Sequence, residues 1–94
     1  MNIRQILLDV DKAIERPSVI EIAGAIEDVS GVDGVSIIVT EIDMETVGME
    51  VTIEGENLKY DELVNAIEKA GAVVHGVNQV SSGKKTVTPV RRVR

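Results

Sequence analysis

The sequence predicts an α+β domain: a four-stranded antiparallel sheet carrying two helices on one of its faces. Three observations predict it. A pattern of strand, helix, strand occurs twice along the 94 residues. Val47, Met49, Val51 and Ile53 alternate with Gly48, Glu50, Thr52 and Glu54, the period-two signature of a strand with one buried face. Ser18 and Glu21 form a capping box ahead of an apolar stripe with helical spacing, where each side chain satisfies a free amide of the first turn.

The elements follow in order. IRQILLDV, residues 3–10, is a β-rich run with apolar residues on both faces, as in strands covered on both sides or buried in oligomers. Pro17 and Ser18 open a helix whose stripe is Val19, Ile22, Ala23, Ile26 and Val29, and Gly31 is expected to stop it. VSIIVTEIDM (35–44) and TVGMEVTIEG (46–55) are two strands around a turn near 43–45. In the first of these, Val35, Ile37 and Val39 share one face, and Ile38 and Ile42 fall on the other. A second helix runs from Tyr60 to Ala70 on the stripe Tyr60, Leu63, Val64, Ile67 and Ala70, with Gly71 at its end. The last strand is AVVHGVNQV (72–80), followed by SSGKK, which reads as a flexible exit.

The order β-α-β-β-α-β is that of a ferredoxin-like sandwich. Right-handed crossovers then set the sheet order 4-1-3-2 with both helices on one face. Residues 1–83 form this domain, and 84–94 form a basic C-terminal tail. The scaffold alone does not choose a function, because it hosts enzymes, carriers, sensors and RNA binders.

Composition narrows the choice. Val, Ile, Leu and Ala supply nearly all of the 44% apolar residues, and Tyr60 is the single aromatic side chain. Stacking platforms for bases are therefore missing. Cysteine is absent, which excludes disulfides, thiolate nucleophiles and cysteine-based metal sites, and fits a reducing cytoplasm. A heavy-metal carrier of this fold needs a cysteine pair in the first loop, so that reading falls. MNIRQILLDVD has regular charges and no long apolar run, the pattern of neither a signal peptide nor a membrane span. The net charge of −6 is uneven: KKTVTPVRRVR (84–94) carries +5, while residues 1–83 carry five basic and sixteen acidic side chains, or −11. An acidic body is a poor partner for duplex nucleic acid. The tail is either a solvated terminus or a segment that docks on an acidic surface, most simply that of a neighbouring subunit.

Topology brings the loop 9–17, the hairpin turn 43–45 and the joint 71–73 to one end of the sheet. That edge gathers Asp9, Asp11, Glu15, Glu41, Asp43 and Glu45, with Lys12 and Arg16 nearby. Carboxylates at such density suit a hard divalent cation, calcium or magnesium, and the candidate ligands are Asp9, Asp11, Glu41 and Asp43. The spacing is not that of an EF-hand loop, and a solvated acidic rim explains it as well. The other use of the edge is regulatory sensing of a small molecule between subunits, where a cationic ligand matches the charge. His75, the only histidine, is either a partner of an acid such as Asp9 or a locally bonded residue of an outer strand. No Ser-His-Asp or Cys-His set and no Gly-rich phosphate loop can be assembled, so an enzyme is not expected.

LLDVDKAIERPSVIEIA, GVDGVSIIVTEIDMETVGMEVTIEGENL and GAVVHGVNQVSSGKK together resemble the archaeal domain-of-unknown-function family 211. Its marks here are E-I-D-x-E-T, T-I-E-G-E-x-L and V-H-x-V-x-x-V-x-x-G-K. The resemblance implies a small ferredoxin-like archaeal protein that assembles into homo-oligomers, rings larger than a dimer, with no established activity; cations held by acidic residues would be in keeping with it. The reading is thus an oligomeric binding or structural module with a divalent cation at its acidic edge, with small-molecule sensing as the alternative.

Overall fold

The computed structural model describes residues 1–90; Arg91 to Arg94 of the basic tail lie outside the described residues. Six elements follow one another: β1 (Ile3–Ala13), α1 (Val19–Glu27), β2 (Val32–Ile42), β3 (Thr46–Gly55), α2 (Tyr60–Lys69) and β4 (Val73–Ser82). The sheet order is β2-β3-β1-β4, all neighbours antiparallel. This is the expected 4-1-3-2 ferredoxin-like arrangement.

Alternation decides which side of each strand is buried. Ile6, Leu8 and Val10 of β1 and Val47, Met49, Val51 and Ile53 of β3 point to the helix side, where Ile22 and Ile26 of α1 and Leu63 and Ile67 of α2 meet them in one core. The two central strands are thus sealed on that side. Among the described residues, the opposite face of the sheet has no helix over it.

The capping box forms as its residues require. The Glu21 amide donates to Ser18 Oγ at 3.1 Å, and the Ser18 amide donates to Glu21 Oε1 at 3.2 Å. Gly71, at φ +105°, directly follows the C-cap of α2. Gly31 has a different task from the one its position suggested. α1 ends at Glu27, and Gly31 sits four residues later at φ +89°, in the turn that enters β2. Its carbonyl accepts the Glu56 amide at 3.0 Å, and a side-chain carbon on Gly55 would collide with that same carbonyl. The two glycines let the α1–β2 turn lie against the end of β3.

Three expectations are corrected at strand ends. β1 continues to Ala13, because Lys12 turns its stem inward, 8% exposed, and its Nζ donates to the carbonyls of Ala13 and Ile14 at 3.0 Å each. β2 starts at Val32 rather than Val35 and carries a bulge between Val39 and Glu41. The extra residue, Thr40, reverses the alternation, so Glu41 opposes Gly48 on the open face and Ile42 opposes Val47 on the helix side. Ile42 therefore does not share a face with Ile38. Ser81 and Ser82 belong to β4 rather than to a flexible exit, and Ser81 is buried with its Oγ accepting the Val87 amide at 2.8 Å.

Candidate functional site

The open face of the sheet is where the acids collect. Antiparallel register fixes the neighbours: Asp11 opposes Gly48, and Gly48 opposes Glu41, so three strands set out one row with a missing side chain at its centre. A Cβ built on Gly48 would stand 3.5 Å from Asp11 Oδ1 and 3.5 Å from the Glu41 Cβ. The two acidic side chains thus flank a gap left by glycine. On its far side, Asp11 meets β4: His75 Nε2 lies 2.8 Å from Asp11 Oδ2. Two residues along, Asp9 opposes Glu50, two carboxylates set side by side in a register that ordinarily disfavours like charges. Further along, Gln5 Nε2 donates to Glu54 Oε2 at 2.6 Å.

Basic side chains of the strands do not join this row. Lys12 is spent on backbone carbonyls of the helix side. Arg4 donates from Nε to the Gly83 carbonyl at 2.8 Å and approaches Glu56 Oε1 at 3.4 Å. The open face accordingly carries Asp9, Asp11, Glu41, Glu50 and Glu54 with His75 as the basic group placed against one of them.

The four sequence candidates separate. Asp9, Asp11 and Glu41 lie on this face, with Asp11 and Glu41 in one row and Asp9 in the next. Asp43 belongs to the hairpin turn: its Oδ1 accepts the Met44 amide at 2.7 Å, and its own amide donates to the Thr46 carbonyl at 2.8 Å. Among the described residues, no group of three or more His, Asp or Glu side chains is placed to hold a metal ion within one chain. Glu50 and the gap at Gly48 were not singled out from the sequence. The alternation of β3 puts Glu50 outward, but only the register reveals that Asp9 faces it.

The three segments expected at one end do meet there. The Ile14 amide donates to the Glu45 carbonyl at 3.3 Å, and a Cβ on Gly71 would lie 3.3 Å from Pro17 Cδ. Between them opens a shallow, largely apolar depression lined by Asp11, Lys12, Thr46, Gly71, Val73 and His75. The histidine's partner is Asp11, not Asp9.

The model of the domain-of-unknown-function family 211, described as uncharacterized ArCR, matches residues 4–94, nearly the whole chain. The chain belongs to this family. The chain is also 44% identical over 90 residues to the uncharacterized protein MJ0319 of Methanocaldococcus jannaschii, covering 96% of this chain and 92% of that one. Family 211 membership extends through the C-terminal tail, so the tail belongs to the matched region together with the folded sheet. Among the described residues of this family 211 protein, no helix is long and apolar enough to cross a membrane.

Proposed function

We propose that this family 211 protein is a homo-oligomeric binding module whose open sheet face takes a hard divalent cation, calcium or magnesium. The observation that carries the reading is the row Asp11–Gly48–Glu41, in which two acidic side chains flank a gap with no side chain of its own. Asp9 and Glu50 supply further carboxylates one row away. Hard cations prefer six to eight oxygen ligands, more than one row of one chain offers, so carboxylates of a second copy complete the shell. Asp43, tied into its turn, is left out of the ligand set.

Assembly is supported by the sheet edges. Among the described residues, β2 and β4 are both unpaired at their outer sides, and exposed aliphatic residues line them: Ile38, Val39 and Ile42 on one, Val73, Val77 and Val80 on the other. Two different apolar edges favour head-to-tail contacts, which close into rings when the rotation allows. This reading assigns no catalytic step to the site; Lys12 is engaged by the carbonyl oxygens of Ala13 and Ile14.

The test is the native mass of the purified protein in calcium and in chelator, with calorimetric titration of calcium and magnesium. Wild type is expected to form a species larger than a dimer and to bind cation, and Asp11→Asn with Glu41→Gln to abolish the heat. A monomer under both conditions removes the assembly, and absence of heat removes the cation. A second reading, sensing of a small cationic metabolite, is favoured by the apolar depression beside Asp11 and His75. A thermal-shift series with polyamines and basic amino acids separates it from the first, since saturation at about one hundred times Kd adds about 2.7 kcal/mol.

A further inference from the structure

After β4 the chain turns back over the sheet. Gly83, at φ +122°, gives its amide to the Asn2 carbonyl at 2.8 Å, and the Val87 amide donates to Ser81 Oγ at 2.8 Å. Ser81 pairs in register with Gln5, on the open face, and is buried there. Thr86, Thr88 and Pro89 thus form one wall of a hollow of about 590 Å³, open to solvent, whose floor is Gln79 of β4, Gln5 of β1 and Glu54 of β3. That volume falls within the roughly 300–1,000 Å³ usual for small-molecule sites.

Side-chain chemistry orients the floor. A carboxylate only accepts, so Gln5 turns its NH2 group to Glu54, with Nε2 donating to Oε2 at 2.6 Å. The Gln5 oxygen then faces Gln79, whose Nε2 donates to it at 3.3 Å. These three side chains stand on successive strands, about 4.8 Å apart. Among the described residues, the relay leaves to a ligand a second N–H on each amide, the Gln79 oxygen, the second Glu54 oxygen and the hydroxyls of Thr86 and Thr88. Glu54 also borders a neighbouring hollow with Ser36 and Thr52, two further hydroxyls.

Donors and acceptors therefore alternate across the hollow. An apolar ligand would strand them without partners. An anion would meet the Glu54 carboxylate, and a cation would find that one carboxylate already shared with an amide. A hydroxyl both donates and accepts, so a ligand bearing several hydroxyls answers the whole pattern. We propose that this hollow binds a neutral polyhydroxy compound, a sugar or polyol, through Gln5, Glu54 and Gln79 on the sheet and Thr86 and Thr88 on the returning chain. The site is separate from the proposed cation row, because Asp11 lies six residues further along β1, about 20 Å away. Tyr60 is the single aromatic residue and belongs to α2, so no ring stacks on the ligand, and hydrogen bonds made in exchange for water give roughly millimolar affinity.

The test is a titration of the full chain with glucose, trehalose and putrescine, read on the side-chain amide signals of Gln5 and Gln79 by nuclear magnetic resonance. Both sugars are expected to shift these signals, and Gln79→Leu to weaken binding about tenfold, with Thr88→Val, outside every helix and strand, weakening it about threefold. Glu54→Gln keeps an accepting oxygen and is expected to bind glucose within about threefold of wild type, as is wild type at about 1 M salt. The cation-row variant, Asp11→Asn with Glu41→Gln, is expected to bind glucose as wild type does, whatever becomes of its calcium. Three results overturn the proposal. One is no shift from either sugar at about one hundred times the expected Kd. Another is putrescine binding more tightly than glucose and lost in Glu54→Gln, which makes the site cationic. The third is undiminished sugar affinity in both Gln79→Leu and Thr88→Val, which places the ligand elsewhere.

Discussion

Asp11 and Glu41 stand on either side of Gly48, on strands that do not touch each other, with one side chain's width between them. Gly48→Lys would place an ammonium into that width. The expected outcome is a chain that no longer binds calcium and whose denaturant midpoint, in chelator, is no lower than that of wild type. Gly48→Ala is expected to keep cation binding, since its added carbon makes ordinary contacts. Calorimetry and urea unfolding of both variants check this; calcium heat persisting in Gly48→Lys would separate the cation from this row.

The approach of Gly55 to the Gly31 carbonyl is expected to make Gly55→Ala costly, about 2–4 kcal/mol, because the atoms in the way are backbone and cannot rotate aside. Gly24 provides the contrast. It is exposed within α1 and has nothing near its missing Cβ, so Gly24→Ala is expected to gain about 0.8 kcal/mol from helix propensity alone. Chemical denaturation of the two variants under identical conditions should move the midpoint in opposite directions.

Ser18→Ala removes one half of the reciprocal cap on α1 and is expected to cost about 1 kcal/mol. Adding Glu21→Ala should cost less than its effect in wild type, since the two bonds act as a unit. A double-mutant cycle with no coupling would show that the cap contributes nothing beyond its separate parts.

Exposed aliphatic residues on the two outer strands should matter for assembly and not for the fold of a subunit. Ile38→Lys with Val77→Lys is expected to leave the circular dichroism spectrum unchanged and to reduce the native mass. Ile67→Ala, in the core, is expected to lower stability by about 2–5 kcal/mol. Sedimentation of the lysine variant at the wild-type mass would place the subunit contact elsewhere.

Much of this architecture can be read from residues whose local pattern agrees with their burial. β3 runs from Thr46 to Gly55 as its alternation dictates, and Ser18 with Glu21 marks the start of α1. The readings that shifted are those in which a side chain behaves against its type. Lys12 looks like a loop residue, but its stem is buried while its ammonium finds two carbonyls, so β1 runs further than its apolar letters suggest. Asp33 and Gly34 look like a turn but lie in β2.

The candidate site was half legible for a related reason. Asp9, Asp11 and Glu41 can be placed on one edge by counting strands, whereas Asp43 is drawn off by a turn whose local bonds no composition reveals. The pairing of Asp9 with Glu50 and of Asp11 with His75 depends on register between segments far apart in the chain. Register is a property of two strands together, and one sequence scanned along its length does not display it.

The bulge at Thr40 decides which acids share a face. Because strand side chains have a period of two, pairing Thr40 regularly instead of bulging it would swing Glu41 toward the helices and Ile42 onto the acidic face, whereas deleting Thr40 would leave Glu41 opposite Gly48 and Ile42 opposite Val47. The Asp11–Glu41 row is therefore made by the way Thr40 is accommodated, and it tolerates the loss of that residue while a regular pairing of it would abolish the row.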